Sequence, residues 1–516
     1  MGIACVASRA QIGMSAPRVA VEVHLGGGLP NFSIVGLPAT AVKESKDRVR
    51  AALVNSGFEF PAGRITVNLS PADLPKEGCR YDLPIALGIV LASNQIKVPD
   101  AQLAGCEFYG ELGLAGELRP IRGVLLAAAH AARESRSIVV PSANVTEARF
   151  AAPRSTCGAA TLLAVCELAI SGVRGELADA VDDPELPARP RELDLSDVRG
   201  QAAAKRALVI AAAGGHSLLF VGPPGAGKSM LSQRLPGLLP PLAGDEALDV
   251  AAIASVSTRG FAVTDYARRP FRAPHHTASA SAIIGGGPQA RPGEVSLAHR
   301  GVLFLDELPE FNRSVLESLR EPLESGVVAI SRAARQVEYP ARFQLVAAMN
   351  PCPCGYLGES TANCRCAPPE IARYRARISG PLLDRIDLRV AVPAVSSEEL
   401  LDENAPESVT SAQAAARVRA ARELQLARAS KLNCDLTGKE IQKFCRIDRV
   451  GRQLLAGARE KLALSARGVH RVLRVARTIA DLESTDPETV KTKDGAAIAI
   501  SMTHLAEALQ LRRAID

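Results

Sequence analysis

Apolar and polar positions follow different periods along the 516-residue chain. In residues 1–175, segments of period two such as RITVNL (64–69) are mixed with alanine-rich helical segments such as GVLLAAAHAARES (123–135). From 198 to 395, short β-rich runs alternate with helical stretches, which predicts a parallel sheet covered by helices. From 396 to 516 the pattern is helical. The predicted fold class is therefore α/β, with a helical C-terminal domain.

A break in this pattern separates the first part from the second. Residues 176–197, ELADAVDDPELPARPRELDLSD, are rich in proline and acidic residues and poor in apolar periodicity, which indicates a linker. A chain of this length is expected to hold about three domains. We predict an N-terminal domain over 1–175, a central domain over 198–395 and a helical domain over 396–516.

Composition narrows the class of protein. Hydrophobic residues make up 47% and charged residues 22%, which is ordinary for a globular protein. No apolar run approaches the roughly 20 residues that span a bilayer, and the start, MGIACVASRAQIGM, lacks the layout of a secretory signal. We therefore expect a cytoplasmic protein with no membrane partner. A net charge of +6 permits a nucleic-acid partner only through a local basic surface.

The segment SLLFVGPPGAGKSM (217–230) carries the strongest chemical signal. A predicted strand leads into a loop that fits G-x-x-x-x-G-K-[ST] at every position. In such a loop, backbone N–H groups and the positive end of the following helix bind phosphates. We expect ATP and Mg²⁺ here, with Lys228 on the β- and γ-phosphates and the Ser229 hydroxyl on the metal. The predicted nucleotide-binding residues are Gly222, Pro223, Pro224, Gly225, Ala226, Gly227, Lys228, Ser229 and Met230.

The segment RGVLFLDELPEF (300–311) supplies two acids for the same chemistry. Asp306 and Glu307 follow a predicted buried strand, at the end where ligands collect in open α/β sheets. We expect Asp306 to hold Mg²⁺ through water or Ser229, and Glu307 to polarise the attacking water. A pair of solvated acids is the alternative, which the complete phosphate-binding motif disfavours.

The segment NPCPCGYLGESTANCRC (350–366) holds four of the 11 cysteines. Cys352, Cys354, Cys364 and Cys366 form C-x-C-x₉-C-x-C, and two pairs of thiolates can close a tetrahedral zinc site with Zn–S distances of about 2.3 Å. One residue between the members of a pair is fewer than the usual spacing of about two to four. Buried free thiols, a redox disulfide and an iron–sulfur cluster are the alternatives. We predict a structural Zn²⁺ site without a catalytic role, because four cysteines leave no open coordination position.

Longer segments resemble a known family. Asp-Glu at 306–307, a strand ending in Asn350 and SGPLLDRIDL (379–388) are similar to AAA+ ATPases. Three segments resemble the magnesium-chelatase-like branch and, within it, the bacterial YifB/ComM family: FRAPHHTASASAIIGGG (271–287), RPGEVSLAHRGVLFLDELPEF (291–311) and SARGVHRVLRVARTIADL (465–482). The resemblance covers essentially the whole chain. It implies an AAA+ core over 198–395 and a helical lid over 396–516.

The same resemblance implies further catalytic residues. Asn350 matches sensor 1, Arg385 matches the arginine finger that acts on a neighbouring subunit's nucleotide, and Arg467 matches sensor 2. Arg471 and Arg474 share a helical face with Arg467, and we predict that this face is solvated. A finger that acts in trans requires a ring, and members of the family form hexamers, so a homohexamer is expected.

Two insertions are predicted to contact DNA. Residues 251–297 match the helix-2 insert of the family, and 327–343, VVAISRAARQVEYPARF, match its pre-sensor-1 hairpin, which points into the ring's pore. Arg332 and Arg335 at the hairpin tip, with Arg272 in the insert, are expected to meet phosphates by charge without reading sequence. Ordinary exposed basic residues are the alternative. Further candidates for contact with DNA phosphates are Arg268, Arg269, His275 and His276.

The N-terminal domain resembles the Lon-protease-type domain, of the ribosomal S5 domain 2 fold, through LPKEGCRYDLPIAL (74–87) and GELRPIRGVLLAAAHAARESRSIVVPSANV (116–145). The serine of the Lon dyad falls on Arg80 and its lysine on Leu125. Nucleophile and base are both missing, so we expect a role in binding or ring assembly instead of peptide hydrolysis. We predict that Arg64, Lys76 and Arg80 are solvated charges; contact with nucleic acid is the alternative.

The resemblance implies an ATP-driven hexameric DNA translocase or helicase. Its partner would be single-stranded or branched DNA, and it would promote branch migration while homologous strands are integrated during natural transformation. The alternative is a magnesium-chelatase-like or protein-remodelling AAA+ ATPase that acts on a protein partner. Stimulation of ATP hydrolysis by DNA would distinguish the two.

Overall fold

The computed structural model describes residues 2–172, 193–287, 289–332, 335–358, 364–396, 409–485 and 499–513, without the side chains of Arg332 and Arg335. Most of the predicted linker therefore lies outside the described residues. The backbone divides into two compact units. The first joins the N-terminal residues with Gly244–Ala267 and Ser331–Tyr339, and the second holds the remaining central residues and the C-terminal ones.

Strands and helices alternate through the described N-terminal and central residues, whereas the C-terminal residues are helical. The strands are β1 Gly2–Arg9, β2 Arg18–Gly26, β3 Asn31–Val35, β4 Arg64–Ser70, β5 Cys106–Phe108, β6 Glu111–Leu112, β7 Leu118–Arg119, β8 Ser137–Pro141, β9 Thr156–Ala159, β10 Leu218–Val221, β11 Phe271–Arg272, β12 Gly285–Gly286, β13 Arg291–Pro292, β14 Val302–Leu305, β15 Val327–Arg332, β16 Arg335–Pro340, β17 Gln344–Met349 and β18 Leu388–Ala391. The helices are α1 Thr40–Lys43, α2 Ser45–Asn55, α3 Asp82–Ala92, α4 Asp100–Ala104, α5 Val124–Arg133, α6 Val145–Arg149, α7 Leu162–Ser171, α8 Ala202–Gly214, α9 Lys228–Leu238, α10 Gly244–Val256, α11 Ala280–Ile284, α12 Glu294–Leu297, α13 Arg313–Ser318, α14 Pro322–Ser325, α15 Pro368–Arg375, α16 Gly380–Asp384, α17 Ser411–Ala429, α18 Gly438–Phe444, α19 Arg449–Lys461, α20 Ala466–Glu483 and α21 Met502–Gln510.

The first unit contains a four-stranded sheet with the order β1–β2–β4–β3 and a parallel three-stranded sheet with the order β5–β8–β9. The short strands β6 and β7 form a further, antiparallel pair. Helix α3 is buried along almost its whole length because it is apolar on all sides, and it packs on β1 and β2. The predicted strand at 64–69 and helix at 123–135 are confirmed by β4 and α5. Helix α10 also belongs to this unit, where the Ser255 hydroxyl donates to Glu147 at 2.5 Å.

The second unit is built on a parallel sheet with the order β11–β14–β17–β10–β18. All residues of β10, β14 and β17 are buried, and such continuous apolar runs are typical of a parallel sheet covered on both faces. The predicted strands in these three places are confirmed. The sheet has a carboxyl edge, where Gly222, Asp306 and Asn350 follow their strands, and an amino edge, where Ser217 and Asp387 precede theirs. The edges lie about 13 Å apart, since β10 has four residues that rise about 3.3 Å each.

The C-terminal helices share a core with this sheet. On α20, Val472, Ala476 and Ala480 are buried, and Val469 and Leu473 pack against the same core. This confirms the apolar stripe predicted from the spacing of these residues. The helical pattern predicted beyond residue 396 is confirmed for the described residues by α17 to α21.

The predicted hairpin is present in the backbone, because β15 and β16 pair as a two-stranded sheet. Its tip arginines, Arg332 and Arg335, have side chains outside the described residues. Among the helices that the structure describes, none is both long and apolar enough to cross a bilayer.

Candidate functional site

The loop between β10 and α9 has a shape that requires glycine. Gly225 and Gly227 have φ of +79° and +90°, in the left-handed region that other residues avoid. A Cβ placed on either would meet no atom within 4 Å, so the loop leaves open space on that side. At Gly222 a Cβ would lie 2.0 Å from the carbonyl oxygen of Val392. The first turn of α9, which begins at Lys228, offers N–H groups without partners inside the helix to this space.

Lys228 is folded onto this loop. Its Nζ donates to the carbonyl oxygens of Gly222 and Pro223, both at 2.7 Å, and to Oδ1 of Asn350 at 3.1 Å. The side chain is buried, and burial lowers the pKa of the ammonium group. The structure thus brings the predicted phosphate-binding lysine into contact with the predicted sensor 1 residue.

Ser229 and Asp306 offer oxygen ligands side by side. The Ser229 hydroxyl donates to Oδ2 of Asp306 at 2.6 Å, and the backbone N–H of Glu307 donates to Oδ1 at 3.0 Å. Hydroxyl and carboxylate oxygens are the ligands that Mg²⁺ prefers in proteins, so these residues fit that ion.

Glu307 lies beside His276, for which a different role was predicted. Its backbone has φ of +53°, and its carboxylate lies 3.1 Å from Nδ1 of His276. The rings of His275 and His276 are 4.1 Å apart between centroids. His276 follows β11, which pairs with β14, and Glu307 follows β14. From the sequence, only contact with DNA was predicted for these histidines. The pairing of β11 with β14 leaves no signal in the neighbouring residues, so the contact with Glu307 was not predictable.

The four cysteines of the loop at 350–366 converge. The Sγ atoms of Cys352, Cys354 and Cys364 lie 3.4, 3.6 and 3.7 Å from one another, and all four Sγ atoms, including that of Cys366, lie within 4.8 Å. A tetrahedral Zn–S₄ site with bonds of about 2.3 Å needs S···S distances of about 3.8 Å. The arrangement therefore fits a zinc ion.

This cysteine cluster adjoins the phosphate-binding loop. Gly355 has φ of +88°, and a Cβ there would lie 2.6 Å from Cδ of Pro224. Nε of Arg375 donates to the carbonyl of Pro351 at 3.3 Å, which ties α15 to the start of the cluster. The backbone N–H of Tyr356 lowers the pKa of Cys354 to about 6, which favours a thiolate there.

Arg385 and Arg467 lie at the amino edge of the sheet, opposite the edge that holds the phosphate-binding loop. Both line a cavity of about 400 Å³ together with Ser217 and Gln344, which mark the amino edge. Nη2 of Arg385 bonds to Glu324, and Nη2 of Arg467 lies 3.6 Å from the other carboxylate oxygen of Glu324. The two arginines are thus separated from the phosphate-binding loop by the length of the strands.

The prediction that Arg471 and Arg474 form a solvated face is wrong. Nη1 of Arg471 donates to Asp387 at 2.5 Å, and Arg474 bonds to the carbonyl of Leu436. Burial raises the pKa of Asp387, but the adjacent His216 ring and the charge of Arg471 outweigh burial and hold it well below its usual value. Arg471 therefore joins α20 to the residue that precedes β18, and Arg474 joins α20 to Leu436.

The predicted DNA contacts have different surroundings. Arg272 is bound by both carboxylate oxygens of Glu294, at 2.5 and 2.7 Å, so its charge is already balanced in this conformation. Its contact with DNA stays a prediction, as does that of Arg332 and Arg335.

The positions of the missing Lon dyad are buried. Leu125 is fully buried, and Nη2 of Arg80 donates to Gln11 at 2.7 Å and to the carbonyl of Arg122 at 2.9 Å. Lys76 is also buried and bonds to the carbonyl of Pro71. The prediction of solvated charges is therefore wrong for Lys76 and Arg80, and it is confirmed for the exposed Arg64.

The chain is similar to known proteins over almost its whole length. Models described as magnesium chelatase subunit ChlI match residues 194–400 and 21–144, and a model of the ChlI C-terminal region matches 408–512. The chain is 47% identical over 514 residues to the competence protein ComM of Haemophilus influenzae, covering 99% of this chain and 98% of that protein. It is 46% identical over 517 residues to the uncharacterized protein YifB of Salmonella typhimurium, covering 100% and 98%.

A more distant relative is the uncharacterized protein Rv2897c of Mycobacterium tuberculosis, which is 43% identical over 481 residues, with 91% of this chain and 93% of that protein covered. Similarity on this scale extends beyond the phosphate-binding motif to the N-terminal and helical parts. The chain therefore belongs to the YifB/ComM family of magnesium-chelatase-like AAA+ ATPases.

Proposed function

We propose that this protein is an ATP-driven DNA translocase that works as a homohexameric ring and promotes branch migration during natural transformation. The observation that carries the proposal is the division of charged residues between the two edges of the sheet. Lys228, Ser229 and Asp306 lie at the carboxyl edge, whereas Arg385 and Arg467 lie at the amino edge. Arginines about 13 Å away on the opposite edge cannot reach the nucleotide of their own chain.

Hydrolysis would use the residues at the carboxyl edge. Lys228 would exchange its bonds to the loop carbonyls for bonds to phosphate oxygens, and Glu307 would orient the attacking water. Asn350 contacts Lys228 and so stands where it could respond to the terminal phosphate. Mg²⁺ bound by Ser229 and Asp306 would neutralise charge on the phosphates.

The arginines at the amino edge would complete the site of a neighbouring subunit. A guanidinium beside the terminal phosphate stabilises the charge of the transition state, which raises the rate by orders of magnitude. A contact that uses different edges of two subunits is head-to-tail, and such contacts close into rings. The exposed Arg467 and the partly buried Arg385 fit this use.

The DNA role depends on the hairpin and on the relatives. The hairpin of β15 and β16 carries Arg332 and Arg335 at its turn, where they could follow a phosphate backbone. One relative at 47% identity is named a competence protein, and we carry that role to this chain. The convergent Sγ atoms support a structural zinc ion that fastens the loop beside the nucleotide site.

ATP turnover measured with and without DNA tests the proposal. We expect single-stranded and forked DNA to stimulate hydrolysis, and the protein to displace a labelled strand only when ATP is present. Lys228→Ala is the control for contaminating ATPases. A wild-type protein that neither binds DNA nor is stimulated by it would favour the remodelling of a protein partner instead.

A further inference from the structure

One carboxylate connects the two arginines of the amino edge. Glu324 lies in α14, on a stretch of chain distinct from both arginines, and its side chain is 58% exposed. One of its carboxylate oxygens bonds to Nη2 of Arg385, and the other lies 3.6 Å from Nη2 of Arg467. A single anion thus occupies both of the groups that the proposed function assigns to a neighbour's nucleotide.

Two other acids of this cavity, Asp384 and Asp387, have different partners. Asp384 accepts from Arg512 at 3.0 Å, and Asp387 accepts from Arg471 at 2.5 Å. These pairs join the sheet to the C-terminal helices and leave the two arginines to Glu324. The hydrogen bond that Glu324 accepts from Arg385 lowers the pKa of Glu324, which agrees with this geometry.

We propose that Glu324 is an exchangeable counter-anion, which holds Arg385 and Arg467 until the terminal phosphate of a neighbour's ATP displaces it. The inference rests on the proposed function and adds a regulatory contact to it. Phosphate oxygens bind guanidinium groups in the same two-pronged way as a carboxylate, and a terminal phosphate carries more charge. Water reaches this ion pair from the side of the exposed Glu324 and weakens it, so an incoming phosphate can take the place of the carboxylate.

The displaced carboxylate has a direct connection to the hairpin. Glu324 precedes the first residue of β15, Val327, by only three positions, and the backbone N–H of Val327 bonds to the Ser325 hydroxyl at 3.2 Å. Between them, the carbonyl of Gly326 accepts from the N–H of Ala341, just beyond β16, at 2.8 Å. Release of Glu324 would therefore free one anchor at the base of the hairpin when the neighbour binds ATP.

The variant Glu324→Gln tests the exchange. Glutamine has the same shape but no charge, so the arginines are free and the neighbour's phosphate no longer meets a competing anion. We expect the KM for ATP to fall by roughly two- to fivefold, as for the loss of one exposed ion pair. Turnover without DNA should rise, and the ratio of DNA-stimulated to basal turnover should fall towards one. Glu321→Gln, which removes an exposed charge three residues earlier, should behave like wild type.

A second background checks that the effect passes through the arginine. With Arg385→Ala already present, adding Glu324→Gln should change KM much less than in the wild-type protein, because contacting residues are coupled. Unchanged melting temperatures would show that both variants are folded. An unchanged or higher KM in a folded Glu324→Gln protein would overturn the inference while leaving the DNA-stimulated ATPase of the wild type intact. Absence of that stimulation in the wild type would count against the proposed function instead.

Discussion

At the scale of single residues, the polar side chains of the candidate site already bond to other groups of the protein. Lys228 bonds to two loop carbonyls and to Asn350, and the carboxylate of Glu307 lies 3.1 Å from Nδ1 of His276. Each of these contacts occupies a group that the proposed reaction needs. A bound nucleotide would therefore have to displace these protein groups from Lys228 and Glu307.

The first prediction separates nucleotide binding from hydrolysis. Lys228→Ala should abolish nucleotide binding, because it removes the only cation assigned to the phosphates within this loop. Glu307→Gln should still bind ATP but should stop its hydrolysis, because the amide cannot polarise the attacking water. Equilibrium binding of a fluorescent ATP analogue and phosphate release measure the two steps. Normal turnover in either variant would contradict the assignment.

At the scale of elements, the loop after β17 links the candidate metal ligands to the candidate nucleotide site. It begins at Asn350, brings Cys352 and Cys354 together with Cys364, and places Gly355 against Pro224. A metal ion that fixes this loop would also fix the shape of the phosphate-binding loop. The cysteine cluster and the phosphate-binding loop are thus in contact through a short stretch of chain.

The second prediction concerns the metal. Purified protein should contain about one zinc ion per chain by elemental analysis, and Cys352→Ser combined with Cys354→Ser should lose it. Because Gly355 packs on Pro224, the same variant should also have a higher KM for ATP. Cys5→Ser, at an exposed cysteine in β1, is the matched control and should keep both properties. Stoichiometric iron in place of zinc would favour an iron–sulfur cluster.

The third prediction concerns the hairpin. Replacing Arg332 and Arg335 with alanine should weaken DNA binding to a similar extent for all sequences, and it should reduce the salt dependence by about one to two counterions. Basal ATP turnover should survive, whereas strand displacement should fall much further than binding, because translocation needs the loop to hold the strand at each step. Binding isotherms at several salt concentrations and displacement of a labelled fork measure these effects.

A matched control for lost charge is available in the N-terminal residues. Arg133→Ala with Arg154→Ala removes two exposed arginines and should leave unwinding close to normal. If the hairpin variant unwinds a fork as fast as wild type does, the pore-loop mechanism is wrong.

At the scale of the whole molecule, the proposed function implies that each subunit carries half of two sites. The carboxyl edge of the sheet holds the phosphate-binding loop and its acids, and the amino edge holds Arg385 and Arg467. A subunit by itself is therefore an incomplete enzyme under the proposed function, and activity should depend on assembly.

The fourth prediction tests this dependence by mixing subunits. Arg385→Ala should leave ATP binding intact and reduce hydrolysis by about a thousandfold or more. Lys228→Ala subunits are inactive for a different reason, and they retain the arginine. Mixed with Arg385→Ala subunits, they should restore part of the turnover, because one partner supplies the nucleotide site and the other the arginine. Absence of any recovery would count against action in trans.

The sequence by itself determined the features that depend on neighbours along the chain. The strand before the phosphate-binding loop, the strand before Asp306 and the hairpin at 327–343 were predicted because apolar runs and motif spacing are local signals. The convergence of Cys352, Cys354, Cys364 and Cys366 was predicted for the same reason. The resemblance to the family added roles for Asn350, Arg385 and Arg467, but not their surroundings.

Only the tertiary structure decided which distant side chains meet. His276 reaches Glu307 because β11 lies beside β14. Glu324 reaches Arg385 and Arg467 because α14, the end of α16 and the start of α20 come together at the amino edge. Charged residues such as Lys76 and Arg471 look solvated in the sequence. The fold provides carbonyl and carboxylate partners, with which Lys76 is fully buried and Arg471 partly buried. The physical reason is that strand order and long-range packing leave no periodic pattern of apolar and polar residues in the sequence. The partners of a charged side chain therefore become known only when the sheet is assembled.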